Sequence, residues 1–149
     1  QLFLREGGDP EVNQGGEFGA DCFHCHGEAG LQFSDYLFHN NGLDPSFEND
    51  PGRVNVTGFV LDSGLFKTPT LRNVAVSAPY MHDGRFTSLE DVIEHYNSGG
   101  VSSSTIDPFM KYTTGGLELA PQQKEAIIAF LHALTDTTFI QNPNFLDPH

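Results

Sequence analysis

Apolar positions fall into two helical stripes in the second half of the chain, with little regular order before them. Leu89, Val92, Ile93 and Tyr96 recur at i, i+3, i+4 and i+7, one face of a helix over residues 87–98. Thr87 and Glu90, three residues apart, make a capping box at its start, and Gly99-Gly100 ends it. Tyr96 then points inward, while His95 lies about a third of a turn away. A second stripe of Ile127, Phe130, Leu131 and Leu134 predicts a helix from Pro121, well suited to the first turn, to Leu134. Leu2-Phe3-Leu4 predicts a short first helix broken by Gly7-Gly8-Asp9-Pro10, and the polar, Gly-rich stretch to Gly19 reads as a loop. Residues 28–66 carry no helical period. Asn40-Asn41-Gly42 and Asp50-Pro51-Gly52 mark turns there, and Val54, Val56, Phe59 and Leu61 suit short extended pieces. Thr70 to Val76 reads as a short helix after Pro69, followed by a tightly turned loop to Phe86. Residues 101–119 are a Ser/Thr/Gly-rich loop, and Thr135 to His149 a polar surface tail.

Composition bounds this picture. The 149 residues suffice for one domain with a modest core, but only 38% are hydrophobic, low for filling it with side chains alone. Thirteen Phe and no Trp fit a core of aromatic rings; sixteen Gly and nine Pro imply long loops. A formal net charge of -13 counts against nucleic acid or an anionic membrane as partner. It suits transient, salt-sensitive docking to a basic protein, and it also keeps a surface soluble. There is no signal peptide, no transmembrane run and no initiating Met, so the chain is expected to be a mature or excised segment without membrane insertion.

The chemistry lies in Cys22-Phe23-His24-Cys25-His26, which holds both cysteines of the chain. The pattern C-x-x-C-H is that of c-type haem attachment. One helical turn brings both sulfurs to one porphyrin edge and aims the next side chain, His26, at the iron. A zinc site needs four ligands, and no second Cys pair or His-x3-5-His pair follows. A redox dithiol prefers a βαβ context, and a disulfide across two intervening residues is strained. One covalent haem c also supplies the apolar surface that the side chains lack. Haem c is attached outside the bacterial cytoplasm, so a periplasmic or extracellular location is expected. The order of elements predicts a mainly α, cytochrome c-like domain with long loops around one covalently bound haem. It comprises residues 1–149, with a core of about 1–136 and a tail at 137–149. Lys67, Arg72 and Arg85 are three of only seven basic residues, and their clustering marks them as candidates to meet the haem propionates. His39 reads as a solvated loop residue.

Phe66-Lys67-Thr68-Pro69-Thr70-Leu71-Arg72-Asn73-Val74, then Ala78-Pro79-Tyr80-Met81-His82-Asp83-Gly84-Arg85-Phe86, Leu89-Glu90 and His95-Tyr96-Asn97-Ser98-Gly99, resemble the C-terminal haem domain of the bacterial di-haem cytochrome c peroxidase / MauG family. Residues 129–136 resemble that domain's closing helix, so the resemblance spans nearly the whole chain. It implies the electron-accepting half of a two-haem enzyme, with a small redox protein as donor and an N-terminal haem domain as partner. It also implies that the distal iron ligand stands fourteen residues after His82, at Tyr96, where the family has methionine or tyrosine. Met110, about ten residues before the last helix, resembles the ligand methionine of simple electron-transfer cytochromes. Met81 and a five-coordinate iron are further alternatives. The resemblance further implies calcium held by the backbone carbonyls of Ser77 and Pro79, with a third ligand from the N-terminal domain. An alternative function is peroxidase or oxidase chemistry at this haem itself, for which His82, Asp83, Glu94 and His95 are acid–base candidates by proximity. A third is a non-catalytic interaction module in which haem is a structural plug.

Overall fold

The computed structural model describes residues 3, 19–27 and 32–145. Within them the chain runs through α1 (Phe23–His26), β1 (Phe38–His39), α2 (Val54–Thr57), β2 (Phe66–Lys67), α3 (Leu89–Ser98), α4 (Pro121–Ala133) and α5 (Thr137–Ile140). Single 3-10 turns stand at Val60–Asp62, Val74–Val76 and Pro143–Phe145. The strands form one antiparallel pair, Phe38 opposite Lys67 and His39 opposite Phe66.

The two stripes read from the sequence are the core. Leu89 and Ile93 of α3 meet Ile127 and Leu131 of α4, joined by Leu71, Leu119, Leu134, Ala20 and Phe3. Phe3 also contacts Phe130, with ring centroids 5.1 Å apart. The flanking residues Leu2 and Leu4, and the loop expected before residue 19, lie outside the described residues.

Helix α3 begins at Leu89 rather than at 87, and its cap lies one residue later than expected. Ser88, not Thr87, is its cap: the Ser88 hydroxyl accepts from the Asp91 backbone N–H (3.1 Å) and donates to the Asp91 carboxylate (2.5 Å). Thr87 and Glu90 have the same spacing, but Ser88 is the residue with extended φ/ψ. Ser88→Ala is expected to cost about 1 kcal/mol in chemical denaturation, because one helix N–H loses its acceptor. Gly99 ends the helix with a φ of 87°, and a Cβ there would lie 1.8 Å from the Tyr112 carbonyl oxygen. Both conformation and close approach therefore demand glycine. At α4 the Gln123 side chain accepts from the Ala120 N–H at 2.8 Å.

Three expectations are corrected. Residues 54–61 are not extended: Val54–Thr57 is a helical turn closed by Gly58 at a φ of 68°, and Val60–Asp62 a 3-10 turn. Val56, Phe59, Val60 and Leu61 are all exposed, so no buried face exists to hold a strand. The helix expected from Thr70 to Val76 shrinks to Val74–Val76, because Asn73 adopts a left-handed φ of 60°. There its N–H reaches the Leu134 carbonyl (3.2 Å) and its side chain accepts from Asp136 N–H (2.7 Å), tying this turn to the end of α4. The described part of the tail, to Phe145, is mostly exposed but contains α5, capped by Asp136, with Phe139 and Phe145 in contact.

Candidate haem site

Helix α1 is a single turn with Cys22 at its N-cap and Gly27 at its C-cap. The turn places Cys22, Cys25 and His26 together on the wall of a cavity of about 490 Å³. The His26 ring is anchored through Nδ1, 2.8 Å from the Phe33 carbonyl. A carbonyl only accepts, so Nδ1 carries the hydrogen and Nε2 keeps its lone pair for a metal. Burial holds His26 below its ordinary pKa, against weaker upward pulls from the Phe33 carbonyl and Asp35, which favours the neutral ring that ligation requires.

Both cysteines are free, and both thiols are pushed up to about 12, first by burial and then by nearby carboxylates, Asp21 for Cys22 and Asp107 for Cys25. A redox dithiol needs the reverse, a depressed thiol pKa. Among the described residues, the clusters with metal-ligand spacing are Cys25–Asp35–His39 and Asp44–His82–Asp83, and neither uses both cysteines. The donor set therefore fits c-type haem: two thiols, a carbonyl-anchored imidazole and a mostly apolar cavity.

Tyr96, Met110 and Met81 all reach the same cavity. The Tyr96 hydroxyl accepts from the Asn41 side-chain amide at 3.2 Å, and that amide also lies 3.4 Å from the Met81 sulfur. Burial pushes the Tyr96 phenol up to about 12, against the opposing Asn41 bond. Asn41 also presents its backbone carbonyl to His95 Nε2, at 3.0 Å.

The basic residues do not gather as their sequence proximity implies. Lys67 lies on the cavity wall, its Nζ 4.8 Å from the Tyr36 ring centre. Arg85 lies outside the lining, bonded to Asp44 (2.5 Å), Asp83 (2.7 Å) and the Leu43 carbonyl (3.3 Å). Arg72 also lies outside it, its guanidinium 5.3 Å from the Phe33 ring centre. Ser77 and Pro79 both line the cavity. Of the acid–base candidates, His82 stacks flat on Phe66 at 3.6 Å, Asp83 is engaged by Arg85, and Glu94 is exposed and paired with Lys124.

His39 is the residue that the sequence reading misplaced. Its side chain is only 13% exposed, on the cavity wall, with Nδ1 2.5 Å from Asp107 and Nε2 2.7 Å from Asp35. Burial alone would lower its pKa, but the hydrogen bonds and charges of Asp107 and Asp35 outweigh it and raise the pKa. Asp35 stands one helical turn's spacing before His39, a signal present in the sequence. Asn41 and Lys111 were missed as well. Lys111 Nζ lies 3.2 Å from the buried Asp21 carboxylate, which His24 also approaches at 3.2 Å.

No family model matches the chain. Individual proteins do. It is 43% identical over 86 residues to cytochrome-c peroxidase IdrP1 of a Pseudomonas species, covering 58% of this chain and 22% of that protein. It is 32% identical over 115 residues to methylamine utilization protein MauG of Methylorubrum extorquens, covering 77% of this chain and 31% of that one. Its fold superposes on a MauG-like protein associated with microbial copper homeostasis with a TM-score of 0.75 and 35% identity, over 87% of this chain and 46% of that one.

The chain belongs to the di-haem cytochrome c peroxidase / MauG family. This family carries c-type haem, in agreement with the donor set above. The fold, without sequence-level likeness, also matches the diheme peroxidase BthA of Burkholderia thailandensis, with a TM-score of 0.58 and 18% identity over 81% of this chain. The chain spans only part of the length of the curated relatives it matches, 22% and 31% of the two above. That span is consistent with one haem domain. Among the described residues, no helix is long and apolar enough to cross a membrane.

Proposed function

We propose that this chain is the C-terminal, electron-accepting haem domain of a periplasmic di-haem enzyme, and that it transfers electrons through one covalently bound haem. The observation that carries this reading is the meeting of Cys22, Cys25 and His26 with Tyr96 and Met110 in one apolar cavity. Cys22 and Cys25 would anchor the haem, His26 would offer it Nε2 from a fixed orientation, and Tyr96 and Met110 are the candidates for a second iron ligand. The haem, when bound, supplies a one-electron iron centre. Of Lys67, Arg72 and Arg85, Lys67 is the one on the cavity wall, and it would meet a propionate. The Ser77 and Pro79 carbonyls suit calcium once the other half of the protein adds its ligand. The acidic surface suits a small basic donor, whose association weakens with salt.

Catalysis at this haem is the weaker reading. It needs an open iron position and a free acid–base group beside it. His95 Nε2 is committed to the Asn41 carbonyl, Asp83 and Glu94 are held in ion pairs, and His82, on the cavity wall, has its ring stacked flat on Phe66. Spectra of the haem-loaded chain test the choice. A six-coordinate, low-spin ferric iron that ignores cyanide and peroxide is expected. Cyanide binding together with peroxide consumption would overturn the proposal in favour of catalysis.

A further inference from the structure

We propose that His39 is a positioning residue for the haem pocket: it fastens the loop at 107–111, which brings Met110 to the cavity wall, to the haem-attachment segment. The inference rests on the reading that Cys22, Cys25 and His26 hold haem.

The geometry is a bridge between two distant parts of the chain. On one side, Asp35 is tied to the attachment helix, its N–H donating to the Cys25 carbonyl at 2.9 Å. On the other, Asp107 organises the loop. Its backbone carbonyl accepts from Met110 N–H (2.9 Å), its Oδ1 accepts from Phe109 N–H (2.8 Å), and its own N–H donates to the Asn40 carbonyl (3.0 Å). His39 joins the two carboxylates through its two ring nitrogens. Without it the Asp35 and Asp107 carboxylates would stand on either side of one half-buried position with no bridging ring between them, and like charges there repel.

Two further contacts bind the same loop to the same segment. The Phe109 ring stacks on His24 at 4.3 Å and 7°, and Lys111 pairs with Asp21. The loop is thus held at three points to the segment that carries the cysteines. Of the three, only the His39 bridge reaches Asp107, whose carboxylate and carbonyl set the Phe109–Met110 turn. Met110 can approach a bound haem reproducibly only if that turn is fixed.

The test uses the haem-loaded chain, with covalent haem first verified by intact mass. His39→Leu should keep its haem and lose at least tenfold in hydrogen-exchange protection at the amides of Phe109 and Met110, with the amides of α4 unchanged. Its reduction potential should fall, since the loosened loop admits water and two carboxylates lose their cation. Asp107→Asn should behave like the parent, because its amide can donate to Nδ1 while Nε2–H donates to Asp35. Asp107→Ala should reproduce the loss, and it provides a second route if His39→Leu does not fold. Unchanged protection and potential in His39→Leu, or protection lost equally in α4, overturns the proposal and leaves the haem reading intact. A parent chain that carries no haem by mass overturns the haem reading instead.

Discussion

Replacing Cys22 and Cys25 together by alanine is expected to abolish covalent haem attachment, with the intact mass falling by one haem beyond the two lost sulfurs. Each thioether needs its own sulfur, and these are the only two cysteines. The loss is expected to reach the fold as well as the cofactor. Leu71, Leu89, Ile93, Ile127 and Leu131 belong to the core, and the same residues line the cavity. Core and haem pocket are one apolar volume. Without the haem, water must enter a space of about 490 Å³ whose walls give it few hydrogen-bond partners, or the walls must collapse. Side chains packed against the void lose dispersion contacts either way. The double variant should therefore keep helical far-UV dichroism, lose near-UV dichroism and bind a hydrophobic dye. A variant that unfolds at the parent's midpoint, with full near-UV signal, would show that the core stands without haem.

What the sequence disclosed follows the range of each interaction. The attachment motif is contiguous and its spacing is stereotyped, so its chemistry is legible in the residues alone. The stripes in α3 and α4 were legible because helical periodicity is local, and the shift from Thr87 to Ser88 shows the limit: two overlapping caps look alike until φ/ψ are known. Residues 54–61 misled because alternating valines mimic a strand even where no core faces them. His39 failed for another reason. One partner, Asp35, is four residues away, but Asp107 is 68 residues away, and only the fold brings it near. The basic trio erred in the opposite sense. Lys67, Arg72 and Arg85 are close in sequence, yet Arg85 is claimed by Asp44, 41 residues earlier. Proximity along a loop-rich chain is a poor guide to which charge meets which. For the distal side the sequence offered Tyr96, Met110, Met81 or an open position, and all three side chains reach the cavity, so the fold does not choose among them.

Tyr96→Phe in the haem-loaded chain is expected to raise the reduction potential by about a tenth of a volt or more, a modest part of the roughly 0.8 V that axial ligands command. Charge decides the direction. A tyrosine oxygen on the iron favours the ferric state, whereas a methionine thioether favours the ferrous. Tyr96 is placed by two independent constraints: the α3 stripe turns it inward, and the Asn41 amide fixes its hydroxyl at 3.2 Å. Burial holds it as a phenol up to about 12, so an added positive centre is what would draw out its proton. The sign of the shift separates the rivals. If Met110 were the ligand, Met110→Leu would lower the potential and erase a sulfur-to-iron charge-transfer band, while Tyr96→Phe would change little. Asn41→Leu is the internal control. Its amide draws electron density from the Tyr96 oxygen, so removing it makes that oxygen a stronger donor and should lower the potential, opposite in sign to Tyr96→Phe. A potential that moves the same way in both variants would place the Tyr96 oxygen off the iron.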